Sequence, residues 1–405
     1  MFRQTAAVLA VLLASTLPTV ASAAGHEPDA VAAPATPVVF GAYYPGGSAS
    51  RYPVSAIPAD RLTHLFYAFS TIKEGRCVVG DEAPANFAAL ADLKRAHPHL
   101  QTLISIGGWN AGGFSDAALT PASRKRFIDS CMALFFDRHA GSFDGVDIDW
   151  EFPVSGGPTE IAHRPQDRAN FTRLAVEFRA ALDARGRKQG RPLLLTAALA
   201  AGRLQTDGPY DPAASYDLPA LAKVLDFINL MSYDMGTGFS SVSTFNAPLH
   251  AVDGDPLQPA LKRWNNVAGA VQFYREHGVP ADKLVLGVPF YGRGFKVTGD
   301  APDGLYQPYS APADAGDWRV IRTRYLGQPG WTQHWQAQAQ SPWLYNASEK
   351  VFISYEDPRS IAIRSHYARS EGLRGVFMWE LTGDDEQASL LRAMLSPYED
   401  KLPGD

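Results

Sequence analysis

The stretch Phe143-Asp144-Gly145-Val146-Asp147-Ile148-Asp149-Trp150-Glu151 decides the fold. Side chains on a β-strand alternate between its two faces. Asp147, Asp149 and Glu151 therefore share one face, and Val146, Ile148 and Trp150 share the other. A strand at the edge of a sheet, with a solvated acidic face, has no need of so apolar a second face. A strand in a barrel does: its apolar set packs on surrounding helices while its acids point into the interior. Carboxylates stacked in a confined interior repel one another, and that repulsion raises at least one pKa. A carboxyl that keeps its proton near neutral pH can act as a general acid. The C-terminal end of a barrel strand is also where such enzymes carry their chemistry.

Outward from this stretch, short apolar runs alternate with helix-like segments. The runs are Val38–Tyr44, His64–Ser70, Thr102–Ile106, Phe143–Glu151, Leu193–Ala200, Phe227–Tyr233, Leu284–Phe290 and Gly375–Trp379. Between them, Phe171, Leu174, Ala175, Phe178 and Leu182 fall on one face at helical spacing. Trp264, Val267, Val271 and Tyr274 form a second stripe, and Phe127, Cys131, Leu134 and Phe135 a third. Eight strand–helix units predict an α/β chain folded as a TIM (β/α)8 barrel. A doubly wound sheet is the rival, but no Gly-rich phosphate loop follows the first run. The rhythm breaks after Gly292. A segment with Trp318, Tyr325, Trp331, Trp335 and Trp343 lacks a helical stripe, yet is too aromatic for a disordered loop. It predicts a small α+β insertion domain at 294–350, between the seventh and eighth strands.

The ends of the chain read differently. Arg3, the apolar stretch Ala6–Leu17 and the small residues Ala21-Ser22-Ala23 predict a signal peptide over 1–23. The apolar run is too short to span a membrane. Residues 24–37 read as a flexible linker, 38–397 as the barrel and 398–405 as a tail. The expected location is secreted, extracellular or periplasmic, with no membrane attachment once the signal is removed. Only two cysteines occur among the 405 residues, Cys77 and Cys131. Export permits a disulfide between them, but two separate buried thiols fit the sequence equally. Lys and Arg number 37 against 42 Asp and Glu. A net charge of -5 without a basic block argues against nucleic acid as a partner.

A second set of polar and aromatic residues gathers near the ends of other runs. Met231, Tyr233 and Asp234 follow the sixth. Tyr43, Phe69, Trp109, Tyr291, Arg293 and Trp379 sit at or near the ends of five more. Each aromatic alone fits a core position, and Met231 fits core better than site. Together they predict a cleft lined for sugar rings.

These residues carry a resemblance. Asp144-Gly145-Val146-Asp147-Ile148-Asp149-Trp150-Glu151 resembles, complete, the Asp-Gly-x-Asp-x-Asp-Trp-Glu signature of glycoside hydrolase family 18 chitinases. Ser105-Ile106-Gly107-Gly108 resembles the family's Ser-x-Gly-Gly motif, and Met231-Ser232-Tyr233-Asp234 its motif on the sixth strand. Tyr291-Gly292-Arg293 and Ser354-Tyr355-Glu356-Asp357 are similar to segments flanking its insertion domain. The resemblance covers about 38–397.

It implies a retaining, substrate-assisted chitinase in which the sugar's own 2-acetamido carbonyl replaces an enzymatic nucleophile. Glu151 would be the general acid/base and Asp149 would stabilise the acetamido group. Asp147 would tune Asp149, and Tyr233 would bond the acetamido oxygen. Asp234 would support the sugar and Trp379 would floor it. Tyr43, Phe69, Trp109, Met231, Tyr291 and Arg293 would line the cleft. Chitin or chito-oligosaccharides are the implied partners of a monomer, with no metal or other cofactor. A catalytically silent chitin-binding lectin is a competing reading, but such proteins typically lose the acid. An endo-β-N-acetylglucosaminidase is another, but that branch generally lacks the insertion. One departure stands out: where many relatives carry an aromatic residue and then His or Tyr after the aspartate, this chain has Met235-Gly236-Thr237-Gly238.

Overall fold

In the computed structural model the described residues are Met1, 37–205 and 210–402. The signal peptide and nearly all of the linker predicted from sequence lie outside them. Fourteen strands are described: β1 Val39–Pro45, β2 His64–Lys73, β3 Arg76–Val78, β4 Gln101–Gly107, β5 Gly145–Asp149, β6 Leu194–Ala200, β7 Phe227–Met231, β8 Leu284–Pro289, β9 Arg293–Val297, β10 Tyr309–Ala313, β11 Trp331–Gln336, β12 Ser341–Asn346, β13 Val351–Ser354 and β14 Gly375–Trp379. Eight of them pair in parallel in the order β1-β14-β8-β7-β6-β5-β4-β2, and β1 also pairs with β2. The sheet thus closes on itself, which makes a TIM barrel. β3 adds an antiparallel hairpin to the outer end of β2.

The outer layer follows from the apolar alternation. Phe171, Leu174, Ala175, Phe178 and Leu182 form the buried face of the helix Asp167–Gln189. Trp150 points outward as the alternation requires, stacked on Phe114 at 5.2 Å and next to Phe171. The second stripe begins too early in the sequence reading. The helix starts at Val267, after the cap in which Asn266 accepts from the Gly269 N–H, and Trp264 precedes it. In the third stripe Phe127, Cys131 and Phe135 are buried, while Leu134 is only half-buried. The chain changes there from α-helix to a wider π-helical turn over Ala133–Arg138, which rotates the following side chains off the stripe.

Between β8 and β14 the chain builds a five-stranded antiparallel sheet, ordered β10-β9-β13-β12-β11, with a helix at Trp318–Arg324. Its strands run from Arg293 to Ser354, slightly beyond the 294–350 read from sequence. One face packs Leu344 and Ile353 into the main core. The other face has a second core of Phe295, Trp343, Tyr345 and Phe352, closed by Phe245 and Val252 from the connection after β7. Cys77 and Cys131 are bridged, tying β3 to the helix Pro121–Met132 across a Cα separation of 5.1 Å. Near the C-terminus Tyr398 is buried against Phe40 of β1, inside the stretch read as a tail.

Candidate active site

Asp147 occupies the centre of the barrel and is fully buried. Each of its oxygens takes two hydrogen bonds. Oδ2 accepts from the Tyr43 hydroxyl at 2.8 Å and the Ser105 hydroxyl at 2.7 Å. Oδ1 accepts from the Thr196 hydroxyl at 2.6 Å and Asn229 Nδ2 at 3.4 Å. Asn229 also donates to the Tyr43 oxygen at 3.0 Å. Burial raises the Asp147 pKa, and these four donors oppose the rise. The first residue of the Ser-x-Gly-Gly motif therefore serves Asp147. The glycines serve Asp149: a Cβ on Gly107 would stand 1.8 Å from the Asp149 carbonyl oxygen, which accepts from the Gly108 N–H at 2.9 Å.

Asp149 is the last residue of β5 and lies one step further up the barrel. It is 3 % exposed, and its Oδ1 has no hydrogen-bond partner among the described residues. Burial first, then the charges of Glu151 and Asp147, push its pKa well up. Glu151 sits two residues beyond the strand, at the mouth. Burial and the Asp234 charge push its carboxyl up to about 8, against a smaller opposite pull from Arg293. A carboxyl raised in this way holds its proton to higher pH than a free glutamate does.

Asp234 is fixed from three sides. The Tyr291 hydroxyl donates to its Oδ1 at 2.7 Å, Arg293 Nε donates at 2.8 Å, and its own N–H donates to Asn246 Oδ1. Its backbone is left-handed, with φ of 56°, which turns the chain away after β7. Tyr233 is buried beside Tyr291 and Phe377. Gly287 on β8 makes room for it, since a Cβ there would lie 2.8 Å from the Tyr233 ring. Trp379 stacks on Phe69 with centroids 5.6 Å apart and touches the Tyr43 ring at 5.5 Å.

A cleft of about 750 Å³ opens over these groups. Asp149, Glu151, Tyr233, Tyr43, Phe69, Trp109, Met231, Asp234, Tyr291, Arg293 and Trp379 all line it. Asp147 lies beneath, out of reach of a ligand and bonded only to protein. Among the described residues no group of His, Cys, Asp and Glu is arranged to hold a metal ion. Sequence reasoning missed Phe152, Gln205 and Phe239, which also line the cleft, together with Thr237 and Gly238 of the divergent segment. Phe239 had a faint signal, as the first aromatic residue after the divergent Met235–Gly238 segment. Gln205 had none.

The family model described as Glycosyl hydrolases family 18 matches residues 39–384. Chitinase A1 of Niallia circulans is 36% identical, over 84% of this chain and 56% of that protein. The chain spans just over half the length of that relative and of another curated one it matches. Among solved structures, a glycoside hydrolase family 18 N-acetylglucosaminidase from Paenibacillus barengoltzii superposes with a TM-score of 0.78 at 32% identity, covering 89% of this chain and 99% of that one. A mutant class V chitinase from Nicotiana tobaccum in complex with NAG4 superposes with a TM-score of 0.74 at 27% identity, covering 90% and 99%.

Proposed function

The chain belongs to the glycosyl hydrolases of family 18, and on that premise we propose that it is a chitinase hydrolysing β-1,4 linkages between N-acetylglucosamine units. One observation carries the reading. Glu151, its carboxyl pushed up to about 8 by burial and by Asp234, stands at the mouth of an aromatic-lined cleft, above a buried Asp149 with an unpartnered oxygen and an Asp147 held by four donors.

In the proposed reaction Glu151 gives its proton to the glycosidic oxygen as the bond from that oxygen to C1 breaks. The acetamido carbonyl oxygen of the same sugar attacks C1 from the opposite face, and a cyclic oxazolinium forms. Asp149 faces the acetamido N–H with its free oxygen, orienting the group and balancing the positive charge. The Tyr233 hydroxyl holds the acetamido oxygen. Water then attacks C1 on the side the leaving group vacated, the bond from C1 to the acetamido oxygen breaks and restores the acetamido group, and Glu151 takes the water's proton. Two inversions give net retention. Trp379 supports the reacting sugar from below, and Asp234, with Tyr291 and Arg293, holds its hydroxyls. Tyr43, Phe69, Trp109 and Met231 complete the subsites. A plain glucose polymer has no acetamido carbonyl, so it is not a substrate on this mechanism.

We further propose that the enzyme acts outside the cytoplasm, on the strength of the Arg3 to Ala23 pattern; sequencing the N-terminus of the exported protein tests the site of cleavage. Among the described residues no helix is long and apolar enough to cross a membrane. The test of the reaction is hydrolysis of chitohexaose followed by proton NMR. The first product is expected as the β-anomer. Glu151→Gln is expected to lower kcat by at least about a thousandfold, since an amide cannot donate the proton. Activity of that variant within tenfold of the wild type, or an α-anomeric first product, would sink the assignment.

A further inference from the structure

The long connection after β7 is held largely by the inserted sheet. Ser243, in its middle, makes four hydrogen bonds to the segment 304–307. Its N–H donates to Gln307 O at 2.9 Å and its hydroxyl to Gly304 O at 2.6 Å. Its Oγ accepts from the Gln307 N–H at 2.9 Å and its carbonyl from the Tyr306 N–H at 3.0 Å. Phe245 and Val252 of the same connection belong to the second core.

Nearer the cleft, Thr237–Ser240 closes into a tight turn. The Thr237 N–H donates to Ser240 Oγ at 3.0 Å, the Ser240 N–H to Thr237 O at 3.0 Å, and the Phe239 N–H to Thr237 Oγ1 at 3.2 Å. This turn carries Phe239 into the cleft lining. Tyr309, the first residue of edge strand β10, reaches it from outside. Its hydroxyl lies 2.8 Å from Gly238 O and 2.7 Å from Ser240 O, so one proton is shared between the two carbonyls that flank Phe239. Pro312, on the same strand, leaves little room beside Gly238, where a Cβ would stand 3.4 Å from its Cγ. On the cleft side the Phe239 ring is 6.4 Å from that of Trp109, which is 6.2 Å from Phe152. The three rings make a continuous strip beside Glu151. Trp379 and Phe69, on β14 and β2, also line the cleft.

We infer that Tyr309 is a positioning residue: by holding the carbonyls on either side of Phe239 it fixes that ring against Trp109, and so sets how firmly the cleft grips sugar units on the leaving-group side of the bond. The inference rests on Glu151 being the proton donor, which makes its side the leaving side. A free Thr-Gly-Phe-Ser turn would have to be ordered each time a chain bound. A turn already held by Tyr309 removes that cost beforehand. The gain belongs to binding of an extended chain, and bond cleavage itself is untouched.

The test compares wild type, Tyr309→Phe and Phe239→Ala on two substrates. Chitohexaose places sugars on the leaving side, whereas 4-methylumbelliferyl chitobioside places only the fluorophore there. Loss of one hydrogen-bonding hydroxyl is expected to lower kcat/KM on chitohexaose by about five- to tenfold, mainly through KM. The fluorogenic substrate is expected to stay within about twofold. Phe239→Ala should match or exceed the loss on chitohexaose, and adding Tyr309→Phe to it should cost nothing more, because the two act as one unit. Unchanged chitohexaose kinetics in Tyr309→Phe, an equal loss on both substrates, or additive effects in the double variant would overturn the inference. A wild-type protein inactive on both substrates would instead overturn the proposed reaction, so the two failures are distinct.

Discussion

Glu151 keeps its proton at a cost to the folded state. Its carboxyl is pushed up to about 8 by burial and by Asp234, whereas an unfolded chain leaves a glutamate near 4.3. Between those two values the folded protein binds the proton more tightly than the unfolded one does. Stability therefore falls as pH rises through that window. Glu151→Gln carries no charge at any pH, so it removes this slope. Thermal unfolding should show the variant close to wild type at pH 5 and clearly more stable at pH 8.5 and above. Equal shifts in Tm at both pH values would mean that Glu151 is not a buried acid. The same group sets the activity profile: kcat/KM should fall on the alkaline side with an apparent pKa near 8, and a profile still flat at pH 9.5 would contradict it. The acidic series was readable from sequence because strand alternation is local. Its electrostatics were readable only in sign. Asp234 and Arg293 meet Glu151 through three separate connections, which no spacing in the sequence records.

At the scale of elements, the inserted sheet is fastened by an ion pair that sees no solvent. Glu356, just before the cap Asp357 of the helix Pro358–Ser370, and Arg364 within that helix have side chains that are both 0 % exposed, with Oε2 and Nη1 2.8 Å apart. Among the described residues neither Glu356 oxygen receives a hydrogen bond of good geometry, and burial pushes its carboxyl up to about 8 against the opposing pull of Arg364. Arg364 spends its donors elsewhere: on Ala247 O after β7, on Ser360 O in its own helix, and on Gln340 O and Ser341 Oγ of the inserted hairpin. Arg364→Met would free all of these carbonyls and leave Glu356 buried without its partner. A loss of about 3–5 kcal/mol is expected in denaturant unfolding, and a loss below about 1 kcal/mol would show the clamp to be idle. The eight barrel strands were legible because each is an apolar run of the right length between turn signals. The inserted strands were not, although their aromatic content was plain. β10, Tyr309–Ala313, carries a proline and little apolar character, and β11, at the sheet edge, sets Trp331 and Trp335 among polar residues with none of its positions fully buried. Their pairing depends on partners as distant as Arg293 and Ser354. The stripe that began at Trp264 failed for a related reason: the spacing was helical, but the Asn266 cap fixes where the helix starts.

The whole barrel is closed by contacts distant in sequence, and the Cys77–Cys131 bridge is one of them. It spans 54 residues and holds the β2–β3 hairpin to the outer helix layer, away from the acidic series. Cys77→Ser with Cys131→Ser should lower stability by about 2–4 kcal/mol through the greater freedom of the unfolded chain. kcat/KM at 25 °C should stay within about twofold. A drop in activity without a drop in Tm would show that the bridge acts on the cleft instead. Sequence reasoning left the pairing open because both a bridge and two buried thiols fit the same pattern.

Asp147 has a further consequence, for how the molecule assembles. Its four donors come from β1, β4, β6 and β7, and it sits on β5. The neighbours on β4 and β6 reach it in any partly built sheet. Asn229, two strands away, and Tyr43, three strands away, reach it only once the sheet has curled round the lumen. A half-rolled barrel would strand a carboxylate in apolar surroundings with half its partners missing, so the last step of closure is rewarded all at once and earlier intermediates are disfavoured. Asp147, proposed to tune Asp149, thus doubles as a latch on the ring.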